Sequence, residues 1–293
     1  MSTAAAQRDQ IVSDAIREIA HIATLPEITL KIVELVEDPR STAQDLHKVI
    51  ANDPALCSRI LKVVNSSFYG LPGQIGSINR AIVMLGLNAV KNIAIAASLA
   101  KLFRGGELTP NFSAKMLWTH SVVTAATAKM LCDRLGYAVS DEAFLAGLIH
   151  DIGVMVEMQY DRNKLIEVVQ RVGADSQGIP ALSMNEAEEA VFGANHQNFG
   201  AGLCQKWKFP ASLGLVTGYH HRPLELASDT RTLPAMVYVA DRLAAEVGTF
   251  RLDLPDLTID SDVMDVLKLT PERLGELRAE LPEHLKSVES MLS

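Results

Sequence analysis

Apolar residues recur along this chain at steps of three and four, the spacing that gathers them on one face of an α-helix. Ile11, Ala15, Ile16, Ile19 and Ile22 follow it first, so a helix is expected over 11–22. A second begins at Pro26, whose fixed φ suits a first helical turn, and buries Ile28, Ile32, Leu35 and Val36 until Asp38 and Pro39 stop it. Ser41 opens a short third. Asp53 and Pro54 pair a capping oxygen with a preset φ, and Leu56, Ile60, Leu61 and Val64 give the fourth its apolar side. After a turn-rich loop from Asn65 to Gly76 the pattern resumes at Ser77 or Ile78 and breaks at Gly86. With Asn88 as a cap it then runs on to about Phe103. No convincing period-two run competes with it.

Gly105, Gly106 and Pro110 mark the strongest junction in the chain and divide it into an N-terminal helical subdomain, 1–105, and a second helical subdomain, 106–293. Further helices are expected near Ala114 to Leu135, Asp141 to Tyr160, Arg162 to Arg171, Met184 to Ala194, Asn198 to Trp207, Pro210 to Gly218 and Pro234 to Glu246. The more charged tail from Leu252 adds two, near Pro271 to Arg278 and Pro282 to Met291. The expected fold class is all-α.

Composition supports this. Apolar residues make up 48% and aromatic residues 5% of the 293, so the core is aliphatic, a mixture suited to helix packing rather than to a β-sandwich. A formal net charge of -8 argues against DNA or RNA as a main partner, because a general nucleic-acid binder needs cations to release phosphate counterions. Cys57, Cys132 and Cys204 form no C-x-x-C pair and suit a reducing compartment. Met1 to Gln10 has no basic region followed by an apolar one. The longest apolar run, Ile93 to Ala100, is far short of the ~20 residues of a membrane span. A cytoplasmic location without membrane association is expected.

The chemistry lies in the histidines. His150-Asp151, ending the apolar segment Ala146 to Ile149, is by itself a polar pair at a helix end. Its setting changes the picture, since five of the eight histidines fall between His120 and His221. The order along the chain is His120, then His150 with Asp151, then His196, then His220 with His221, then Asp241. Imidazole nitrogens with carboxylate oxygens suit iron, manganese, nickel or zinc, and two metals need about six such groups with one carboxylate bridging.

This series resembles the HD superfamily of metal-dependent phosphohydrolases, and its enlarged histidine set resembles the bimetallic HD-GYP branch. The resemblance implies that His120, His150, Asp151 and Asp241 hold one metal. It implies that Asp151, His196, His220 and His221 hold a second, with Asp151 bridging. The N-terminal half narrows the likeness. Leu25-Pro26, Asp53-Pro54-Ala55-Leu56, Val64-Asn65-Ser66-Ser67-Phe68-Tyr69-Gly70 and Ser77 to Leu87 are similar to the HDOD pattern. So are Leu117-Trp118-Thr119-His120-Ser121, Leu148 to Gly153, and Leu203 to Trp207 before Pro210. This extends from about Leu25 to Asp241 and implies an HD-like helical fold with a signalling or regulatory role, a signalling protein as partner and a possible nucleotide or phosphate ligand.

Departures from the HD-GYP pattern are equally informative. Val154 stands where that branch places a phosphate-contacting lysine, and Arg222-Pro223-Leu224-Glu225-Leu226 follows the paired histidines in place of the GYP segment. Met116 replaces an acidic residue that some members place four residues ahead of the first histidine. Efficient cyclic di-GMP hydrolysis is therefore not expected. The alternative reading is a metal-dependent phosphohydrolase acting on another nucleotide or phosphoester, with Arg222 and Lys206 as candidate phosphate contacts. A di-iron oxygenase is the third. Gly147 and Gly153, flanking the His-Asp pair, suit close helix approach.

Overall fold

The computed structural model describes residues 3–19, 27–100, 102–103, 107–110, 112–175, 179–286 and 288. Pro26, the expected start of the second helix, and the Leu25-Pro26 motif lie outside them, as does the expected end of the first helix at Ile22. The first six helices are α1 (Thr3–Glu18), α2 (Glu27–Glu37), α3 (Ala43–Ala51), α4 (Pro54–Val64), α5 (Ile78–Leu85) and α6 (Leu87–Leu99). A small antiparallel pair, β1 (Glu107–Thr109) and β2 (Phe112–Ser113), leads into α7 (Ala114–Leu135). Then come α8 (Ser140–Ile149), α9 (Ile152–Tyr160), α10 (Arg162–Val172), α11 (Met184–Phe192), α12 (His196–Lys206) and α13 (Ala211–Tyr219). The chain closes with α14 (Thr232–Glu246), α15 (Ser261–Leu267) and α16 (Pro271–Lys286). The fold is all-α as expected.

Local chemistry sets the helix ends. Asp53 accepts from the Leu56 N–H with Pro54 in the first turn, and Thr42 forms a reciprocal capping box with Asp45. Asn88 does not cap α6: Gly86, at φ 89°, ends α5 and starts α6 without a side-chain cap. The turn-rich loop is held by Asn65, whose amide donates to Leu61 O and Ile75 O at 2.8 Å and accepts from Ile75 N at 2.6 Å. Two expected tail helices are one continuous α16. Leu274, Leu277 and Leu281 form a single buried stripe up to Pro282, and burying three leucines at about 1.5–3 kcal/mol each outweighs the ~3 kcal/mol of an interior proline.

Two layers of packing position the functional residues. α7, α8 and α14 pack against one another on one side, while α9, α12 and α13 pack on the other. The joint between α8 and α9 is His150-Asp151, where the expected single helix over 141–160 breaks into two. α2, α4 and α5 cover α6, which leans on α8. α1 reaches across the proposed 105/106 division to lie on α9 and α12. Among the described residues no helix is long and apolar enough to cross a membrane.

Candidate metal centre

Each expected ligand sits where an element ends or crosses another. His120 lies within α7 and Asp241 within α14, facing each other across a helix contact. His196 opens α12 behind the Asn195 capping box, and His220-His221 end α13. The structure brings all seven together. Six of them are essentially without solvent exposure, and His221 retains about a tenth.

Hydrogen bonds on the outer side fix the rings. Carbonyl oxygens only accept, so His150 Nδ1–H donates to Gly147 O at 2.7 Å and His220 Nδ1–H to Val216 O at 3.1 Å. His196 Nδ1–H donates to Glu188 Oε2 at 2.8 Å, and the same oxygen accepts from the His196 backbone N–H at 2.8 Å. Thr249 spends its hydroxyl proton on Ala244 O at 2.7 Å, which leaves its oxygen to accept from His120 Nδ1–H at 3.0 Å. All four rings therefore turn Nε2 inward, as outer-shell partners of metal-bound imidazoles do.

Inside, the spacings are those of coordination edges. His120 Nε2 is 3.3 Å from His150 Nε2 and 3.0 Å from Asp241 Oδ1, and His196 Nε2 is 3.1 Å from His221 Nε2. Two cis ligands of one metal at bonds of 2.0–2.1 Å stand about 3 Å apart. Asp151 divides its carboxylate between the two groups. Oδ2 lies 3.3 Å from His150 Nε2, while Oδ1 lies 3.3 Å from His220 Nε2 and 3.6 Å from His196 Nε2.

Several of these inward atoms lack hydrogen-bond partners. Both oxygens of Asp151 and of Asp241, and His220 Nε2, are buried without one. Several unpaired polar atoms in one dry pocket are costly unless a cation completes them. The donor set therefore fits a metal, and three overlapping groups satisfy ligand spacing: His120, His150 and Asp241; Asp151, His196, His220 and His221; and His221, Asp241 and Asp253.

The electrostatics match. Burial opposes protonation of His150, yet the negative charge of Asp151 at 3.3 Å, with that of Asp241, raises it to about 9. His196 rises to about 9 in the same way, against burial, through Glu188. Fields that hold a proton there also favour a metal cation. Burial, then the neighbouring ring, pushes His220 down to about 3; burial and His196 do the same to His221, so both stay neutral, the form that ligates metal. Burial works to raise Asp151, but His150, His220 and His196 outweigh it and hold it well below the carboxylate range.

Three carboxylates around the centre had no motif to announce them. Glu188 carries His196, and Glu157, fully buried on α9 with neither oxygen bonded, is pushed well up by burial and by Glu188. Both interrupt apolar helix faces, a signal the sequence did carry: Glu188 shares its face with Met184, Ala187 and Phe192. Asp253 lies in an irregular segment, where periodicity says nothing. Val154 is buried and offers no charge. Arg222 pairs with Glu225 at 3.6 Å and stacks near Tyr219, while Lys206 is exposed on a cleft between α1 and α12.

Glu188→Ala should lower affinity for the metal on the His196 side by about 10–100-fold, the usual loss when an outer-shell partner is removed. Competition against a chromophoric chelator measures it, with equal metal affinity in variant and wild type as the result that contradicts it.

A family model for the HDOD domain matches residues 22–223. The chain belongs to the HDOD family. The match ends before Asp241, so one of the seven residues lies beyond it. An HDOD protein of unknown function from Geobacter sulfurreducens superposes with TM-score 0.79 at 23% identity, covering 98% of each chain. A candidate phosphohydrolase from Shewanella amazonensis SB2B gives 0.73 at 22%, covering 95% of this chain and 97% of its own. A candidate signal transduction protein from Marinobacter aquaeolei VT8 gives 0.74 at 23%, covering 95% and 65%. These likenesses establish the HDOD fold. An uncharacterised protein of Treponema pallidum is 24% identical over 216 residues, 73% of this chain, which spans 40% of that relative's length.

Proposed function

We propose that this HDOD protein is a signalling or regulatory module whose centre binds two divalent transition metals, drawn from iron, manganese, nickel and zinc. In this reading His120, His150, Asp151 and Asp241 hold one, and His196, His220, His221 and Asp151 hold the other. The observation that carries it is Asp151, which turns one oxygen to each group of histidines while buried to 1% exposure. A dinuclear site sealed this tightly suits a structural or sensing role in the HD half, with the helices of the N-terminal half free to meet a signalling protein. The partner is not a nucleic acid in this reading, given the net charge of -8. A nucleotide or phosphate is the ligand class the fold suggests.

The retained ligand set favours a second reading, a metal-dependent phosphohydrolase. Two bound metals supply Lewis acidity and a water of lowered pKa. The chain's part would be to orient them through Asp151 and the fixed imidazoles. Against it, Val154 is apolar where a phosphate-contacting lysine would stand, and Arg222 pairs with Glu225 at 3.6 Å.

Hydrolysis of cyclic di-GMP by the metal-loaded protein should be absent or very slow. The test is elemental analysis of protein purified without chelators, followed by a turnover panel of cyclic dinucleotides, nucleotides and simple phosphoesters. Bound metal without turnover supports the regulatory module. Rapid turnover abolished in Asp151→Ala promotes the hydrolase.

A further inference from the structure

Beyond the seven expected ligands, the segment after α14 is built onto the centre. Thr249 fixes the His120 ring, and Phe250 packs on that ring with centroids 6.0 Å apart and on Phe112 at 5.2 Å. Leu252 and Leu254 are buried on either side of Asp253. Asp253 is itself 4% exposed, and its Oδ2 lies 3.2 Å from His221 Nε2, the atom that stands 3.1 Å from His196 Nε2. Neither oxygen of Asp253 has a hydrogen-bond partner.

An aspartate beside apolar leucines, with neither oxygen in a hydrogen bond, is an expensive thing to bury unless a cation completes it. The 3.2 Å separation is again that of two cis ligands on one metal. We propose that Asp253 is a further ligand of the metal held by His196, His220 and His221, and that it occupies the coordination position an incoming phosphate oxygen would need. This rests on the dinuclear reading of the centre. Asp151, His196, His220, His221 and Asp253 then give that metal five protein ligands. The other, with His120, His150, Asp151 and Asp241, keeps four. The 249–254 segment thereby works as a built-in cap that keeps phosphoesters from the metal on the His196 side.

The test uses the full-length protein loaded with zinc or manganese. In crystals of the loaded wild type, an Asp253 oxygen should lie about 2.0–2.2 Å from the metal on the His196 side. In the isosteric Asp253→Asn, checked for folding by circular dichroism, one of the two metals should bind at least about 10-fold more weakly and the other unchanged. Inorganic phosphate, followed through the visible spectrum of the cobalt-substituted protein, should perturb Asp253→Asn at concentrations that leave the wild type unaltered. A wild type that takes up no metal overturns the dinuclear reading and this proposal with it. Two metals bound with Asp253 out of coordinating distance, or with a third metal sitting between His221, Asp241 and Asp253, overturn this proposal and leave that reading standing. Phosphate binding equally to wild type and Asp253→Asn removes the capping role.

Discussion

Gly153→Ala is expected to destabilise the protein by about 3 kcal/mol or more, or to prevent it from folding. A methyl group built on Gly153 would stand 1.9 Å from the His196 carbonyl oxygen and 2.7 Å from Gly200 N. Those are backbone atoms of α12, so no side-chain rotation relieves the clash. The two helices must separate. Replacing glycine by alanine within a helix ordinarily gains up to about 1 kcal/mol of propensity, too little to offset overpacking of this kind. Gly275→Ala on α16 is the control, since nothing lies within 4 Å of its added methyl, and it should leave stability unchanged or slightly raised. Denaturant midpoints measure both. An unchanged midpoint for Gly153→Ala would falsify the account of α9 and α12 as helices in backbone contact. The same contact matters to the metal centre, because Asp151 is two residues from Gly153 and His196 is the residue struck.

Much of this architecture was legible in the sequence, and what escaped has identifiable causes. Helices with strong caps and regular apolar spacing, such as the one from Pro54 to Val64, are fixed by local chemistry that periodicity reads directly. The 141–160 stretch defeated the same method. Around the joint, from Ala143 to Ile149 and from Ile152 to Val156, it is apolar on all sides and so has no face whose interruption would betray the break at His150-Asp151. The reverse happened at Pro282, where a local breaker is overridden by the leucine stripe beneath it. At the centre, the seven residues that the structure gathers were recognisable from their order along the chain. Of the residues that orient and enclose them, Glu188 interrupted an apolar helix face, whereas Thr249 and Asp253 gave no signal because they belong to an irregular segment. Their roles exist only once α14 has returned the chain to α7.

Asp151→Ala should abolish most metal binding while leaving the protein folded. Asp151 is the carboxylate with one oxygen turned to each group of histidines, so its loss leaves chiefly neutral imidazoles and Asp241 to face two dications. Replacing a peripheral histidine removes one neutral donor and touches one metal. His120→Ala and Asp241→Ala should weaken mainly one, and His196→Ala and His220→Ala mainly the other. The fold should persist, since the core runs through nearly every helix, unlike a small zinc domain whose folding energy is its metal-binding energy. Metal content per chain, measured with thermal unfolding, separates these outcomes. A ligand that binds only the folded state stabilises it by about 2.7 kcal/mol at one hundred times its dissociation constant, so the wild type should melt several degrees higher when metal is added. Asp151→Ala should lose that shift while retaining a cooperative transition of its own. A full metal complement in Asp151→Ala would remove the bridging role, and a wild type that binds none of iron, manganese, nickel or zinc would leave the histidine cluster a relic inside a regulatory scaffold.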